Sequence, residues 1–115
     1  MKFTILLISL FGVVAVANEN LCGTSYEQGA KAQVWMEQNI PSFNHAQNIT
    51  NNMVMKSIYD YNDFLIQITG LLPNKGYISY TFGCDSESKK LFKLTSVVKS
   101  QNYENVDHRP EAVSP

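Results

Sequence analysis

Histidine, cysteine and tryptophan are scarce in this chain: His45 and His108, Cys22 and Cys84, and Trp35 are all it has. One histidine falls in a polar stretch and the other near the C-terminus. That is poor material for a catalytic base or for a metal site, which needs several ligands at short spacing on rigid elements. No HExxH, paired CxxC, Gly-x-Ser-x-Gly or phosphate-cradling glycine run occurs. The expectation is a protein that is not an enzyme and holds neither cofactor nor metal. Charge of one sign is also missing, since 9 basic residues stand against 10 acidic ones for a net charge of −1. Such a balance gives no electrostatic footprint for nucleic acid or for an anionic membrane.

The apolar run that does occur lies at the very start. Met1-Lys2 is followed by apolar residues from Phe3 to Val14 and by Ala15-Val16-Ala17 before polar Asn18. A positive start, a short apolar core and an A-x-A site predict a secretory signal peptide over residues 1–17. The run is shorter than the roughly 20 residues that span a bilayer, so no membrane insertion is expected, and the chain is read as secreted and extracellular. Cleavage after Ala17 leaves 115 − 17 = 98 residues and removes Lys2, for a mature charge of 8 − 10 = −2. That length suits one domain, placed at residues 18–99. Residues 100–115, polar and carrying Pro110 and Pro115, read as a flexible tail.

In an oxidising compartment the two cysteines allow a single intramolecular pairing, Cys22 with Cys84. A loop of that length would stabilise by roughly 4 kcal/mol through lost chain entropy. The alternatives are an intermolecular bridge or a reactive thiol, and no histidine or basic cluster beside either cysteine points to reactivity. Asn48-Ile49-Thr50 is an N-glycosylation sequon within a polar connector, residues 42–52.

Thr24-Ser25-Tyr26-Glu27 has the spacing of a capping box, which predicts a helix opening at Thr24 or Ser25. Pro41 ends it near Ile40. Tyr26, Ala30 and Val34 on one row, with Ala32, Met36 and Ile40 on the next, make a broad apolar face for a sheet. Gly29 either weakens the helix or allows close approach to a strand. Trp35 falls opposite Tyr26, where it is an exposed anchor for a partner or is covered by a loop.

From Met53 the period becomes two: Val54 and Ile58, then Phe64, Ile66 and Ile68, then Ile78, Tyr80 and Phe82, then Phe92, Leu94 and Val98 each alternate with their neighbours. The separators are the short turns Asp60 to Asp63, Pro73 to Gly76 and Cys84 to Lys89. Short connections make antiparallel neighbours. The fold class expected is α+β, one N-terminal helix packed on a four-stranded antiparallel meander.

In element order, with the Lys-rich stretch "KKLFKLTSVVK" as the last strand, the chain resembles the cystatin-like (cystatin/monellin-like) superfamily. The resemblance implies an extracellular protein as partner, with a papain-like cysteine protease the first to consider. Inhibitory members use an N-terminal Gly, a Gln-x-Val-x-Gly loop and a Pro-Trp loop. Here Gly23 could stand for the first, while Asp60, Tyr61, Asn62 and Asp63 replace the second, and the third is missing. The protein-binding residues expected are therefore Asp60, Tyr61, Asn62 and Asp63 on one tip and Asp85, Ser86 and Glu87 on the next. Other readings are a carrier of an apolar ligand between helix and sheet, and a small hydrolase with His45 as its base.

Overall fold

The structure is a computed structural model that describes residues 22–55 and 61–113. The expected signal peptide lies outside the described residues. The helix, α1 (Ser25–Asn39), opens as the capping box dictates: Glu27 N donates to Thr24 Oγ1 at 3.1 Å and Thr24 N to Glu27 Oε1 at 2.8 Å. These bonds satisfy two of the free amides that every helix start leaves over, and they hold the Glu27 carboxyl below its ordinary pKa. Ile40 leaves helical geometry ahead of Pro41, and a short 3₁₀ helix (Pro41–His45) turns the chain toward the sheet.

Among the described residues six strands follow: β1 (Gln47–Met55), β2 (Tyr61–Leu72), β3 (Gly76–Asp85), β4 (Lys90–Ser100), β5 (Tyr103–Asp107) and β6 (Glu111–Ala112). Their order is β1-β2-β3-β4-β5, all antiparallel, with β6 pairing β4 beyond the end of β5. The class α+β stands, but the four-stranded meander is corrected to a six-stranded sheet. Both additional strands come from the segment read as a flexible tail. Tyr103 pairs with Ser100 and Asp107 with Ser96, then Glu111 and Ala112 pair with Lys93 and Phe92. Val113 N donates to Leu91 O at 2.9 Å, and its side chain joins the core. The first strand also begins earlier than expected, so Asn48, Ile49 and Thr50 lie in β1 and not in a connector.

The helix covers one face of the sheet. Ala32, Trp35 and Met36 pack with Ile66 and Ile68 of β2, Ile78, Tyr80 and Phe82 of β3 and Leu91 of β4, and Phe43 of the 3₁₀ helix closes the end. Trp35 is buried, its ring centroid 5.9 Å from Phe82 and 6.2 Å from Tyr80, which excludes the exposed-anchor reading. The helix is turned from its expected setting. Ala32 and Met36 point inward as predicted, but Tyr26 (84 % exposed) and Val34 point out while Gln28 and Trp35 point in. An indole offers more area to bury than a phenol ring, so the Trp35 side of the helix wins the core. Gly29 is the close approach: a Cβ there would stand 2.5 Å from Asn51 Nδ2 of β1.

A bulge makes the second correction. Thr81 pairs with Thr95 but Phe82 with Lys93, so β4 carries one residue more than β3. The expected alternation of Phe92, Leu94 and Val98 breaks there, and Leu91, Lys93 and Ser96 are the buried residues of β4. Cys22 and Cys84 form a disulfide with Cα atoms 5.9 Å apart, tying the chain before α1 to the end of β3.

Candidate functional site

Topology gathers three segments at one end of the sheet. The end of β1, the start of β2 and the turn from β3 to β4 lie at the same end of the sheet, where Tyr61 at the start of β2 pairs with Asp85 at the end of β3. The disulfide brings Cys22 to the residue before Asp85. The first expected tip needs correction in detail. Tyr61, Asn62 and Asp63 already belong to β2, while Asp60 lies outside the described residues.

The second tip is built as a shaped corner. Asp85 Oδ2 accepts from Ser88 N at 2.9 Å and from Ser88 Oγ at 2.6 Å, and Lys89 N donates to Asp85 O at 2.8 Å. Lys89 takes a positive φ of 58° to let the chain re-enter β4. The Ser88 hydroxyl and then the Ser88 amide hold the Asp85 carboxyl below its ordinary pKa. Asp85 therefore shapes the turn, and Ser86, Glu87, Lys89 and Lys90 are the exposed groups it displays. Such a corner can meet a partner with little loss of conformational entropy.

Chemistry is harder to find. His45 is exposed and lines an open hollow of about 460 Å³ with Leu71, Pro73, Lys75 and Tyr77, at the end opposite the two tips. No carboxylate lines that hollow to orient the imidazole. The space between helix and sheet is filled by fully buried Met36, Phe43, Ile66, Ile68, Ile78 and Phe82, which leaves little room for the carrier reading. Among the described residues no three His, Cys, Asp or Glu side chains gather as metal ligands. No helix there is long and apolar enough to cross a membrane.

Asn48 is exposed and has a positive φ of 53°, at an irregularity where the register between β1 and β2 shifts. Thr50 of its sequon exchanges a side-chain hydrogen bond with Thr69 across the strand pair. The sequon sits at the start of β1, away from the tips.

A polar cluster under the C-terminal strands escaped the sequence reading. Lys93, 2 % exposed, donates from Nζ to Arg109 O at 3.0 Å and lies 3.6 Å from Asp107 and 3.9 Å from Glu111. Arg109 binds Asp107 through its backbone N–H and, at 2.9 Å, through Nη2. The Arg109 side chain is the main reason the Asp107 carboxyl lies well below the usual carboxylate range, with its amide next and Lys93 adding to both. Burial pushes the nearby Tyr80 phenol up, opposed by a bond with Ser96. The only signal in the sequence was that the tail holds acidic residues at 104, 107 and 111 within reach of a lysine strand. The chain matches no protein-family model, no curated protein and no solved structure.

Proposed function

We propose that this chain is a secreted, cystatin-like protein-binding module whose contact surface is the tip end of its sheet. The observation that carries the reading is the convergence there of three chain segments, through the Tyr61 to Asp85 pairing and the Cys22 to Cys84 bond. Three converging segments are what the resemblance to cystatins implies, and a helix on one face of an antiparallel sheet with strands in consecutive order agrees with it. The disulfide suits an oxidising, extracellular setting. A glycan on Asn48 would leave the tip end open, because the two lie at opposite ends of β1.

The partner is an extracellular protein, and the class to test first is the papain-like cysteine proteases. The experiment is inhibition of a panel of such proteases by the oxidised mature protein, beside a variant with residues 56–60 replaced by Gly and Ser and a variant Glu87→Ala with Lys89→Ala. Micromolar or tighter inhibition, lost in both variants while folding is kept, supports the reading in full. No inhibition by folded protein removes the protease as partner. Inhibition that neither variant alters removes the tip end as the surface.

A further inference from the structure

Among the described residues, one edge of the sheet is neither guarded nor covered by another strand. There β1 pairs only with β2, and Gln47–Met55 contains no charged residue and no proline. Natural edge strands are usually protected by charge, proline or a covering element, because free N–H and C=O groups invite another strand. Beside this edge, on the helix side, stand two large apolar side chains in water, Tyr26 (84 % exposed) and Met53 (63 % exposed). With Ala30, Gln33 and Asn51 they line a groove of about 440 Å³ floored by Ile66.

The geometry points to a second copy of this chain as the occupant, joined by antiparallel pairing of β1 with its own image across a two-fold axis. Residues 49–55 are centred on Asn52, so Thr50 meets Val54, Asn51 meets Met53 and Asn52 meets itself. Each pair keeps its side chains on the same face in both copies, as an antiparallel ladder requires. No charge in this stretch faces its own image. The same axis sets both helices on one face of a continuous sheet. Tyr26 shares the groove with Met53, and Gly29, next to Ala30, packs on Asn51, with Met53 and Asn51 one on each side of the axis. The ring of one copy therefore meets the small Ala30 of the other, and the two Met53 side chains close over the seam. Asn48 stands outside the paired stretch.

Size sets the expected strength. Seven paired residues run about 24 Å, and two layers are about 20 Å deep, which hides on the order of 500 Å² per copy. That total of about 1,000 Å² falls below the size of stable specific interfaces and in the range of transient ones, so the dimer should be weak and concentration-dependent.

The test is sedimentation equilibrium of the oxidised mature protein, made without glycan, from about 1 μM to 1 mM, the range in which interfaces of this size exchange. The expected result is a weight-average mass rising toward twice the monomer value. Met53→Lys, which sets two lysines diagonally across the seam at an exposed position, should hold the mass at the monomer value with an unchanged melting temperature. Tyr103→Lys, on the far edge, should leave the dimer intact. A monomer at every concentration overturns the proposal, and so does a dimer that survives Met53→Lys. The turn from β3 to β4 takes no part in the seam, so protease inhibition should be the same in Met53→Lys, which separates this proposal from the preceding one.

Discussion

Along one edge of the sheet, β5 presents Glu104 and Asp107, and the chain beyond it folds back over a buried lysine. Along the other, β1 presents glutamine, asparagine, threonine and methionine with no charge among them. Both edges are antiparallel and both are largely exposed, so exposure alone does not separate them. What differs is how each treats an approaching strand. Charge repels a like edge and keeps its own water, whereas an uncharged edge loses little when paired. The contrast teaches that the far edge is guarded by charge, while the near edge carries no such guard.

The largest effect that can be imposed on this arrangement is at its centre. Cys22→Ser with Cys84→Ser removes a bond spanning 62 residues and should lower unfolding stability by about 4 kcal/mol. Urea unfolding measures the loss, and hydrogen exchange should show the amides of β1 and β5 loosening together. Loosening of β1 alone would mean that the two edges are not coupled through the middle of the sheet.

Next comes Lys93→Ala, which takes away the buried cation and leaves Asp107 and Glu111 facing an empty site. A loss of about 3 kcal/mol is expected, the scale for removing one partner of a buried ion pair. Exchange should rise first in β5 and β6 while β1 keeps its protection. Equal loosening of both edges would remove the distinction drawn above. Thr24→Ala breaks the capping box beside the β1 groove and should cost about 1 kcal/mol, read as a lower melting temperature and frayed amides in the first turn of α1.

The smallest effect is set by pH. The folded pKa of Asp107 is depressed, so its contribution is present in full above the unfolded value of about 4 and is lost as pH falls through the folded value. The melting temperature of the wild type should exceed that of Asp107→Asn by a constant margin above about pH 5, and the margin should narrow as pH drops below about 4. A margin that narrows on the alkaline side would assign the effect to another group.

Much of this build was legible before any coordinate. The capping box at Thr24, the stop at Pro41, the Cys22 to Cys84 pairing and the turn at Pro73 to Gly76 are local chemistry, and each stands where the residues put it. Asn74 and Lys75 take positive φ in that turn, as a tight hairpin demands. The misses share one cause, which is that they depend on residues far apart in sequence. The rotation of α1 was decided by Tyr80 and Phe82 offering a seat to Trp35. The bulge in β4 and the strands after it depend on each other. Lys93 can be buried only because Asp107, Arg109 and Glu111 return to meet it, and a polar tail can form strands only because Lys93 waits there. Period counting sees neither half of such a pair.

The disulfide has a mechanical meaning as well. It closes residues 22–84 into a covalent ring that holds α1 and the first three strands, and leaves β4, β5 and β6 on a free arm. If the molecule were held by its two ends under tension, the ring could not lengthen beyond its short span, and force would pass through the Cys22 to Cys84 bond. The arm after Cys84 could yield at most roughly 110 Å of new length. Stretching would strip β4 from β3 while the helix and the three strands within the ring stayed topologically confined, so a partner that tugged on the tail would meet a body that cannot be drawn out into a thread.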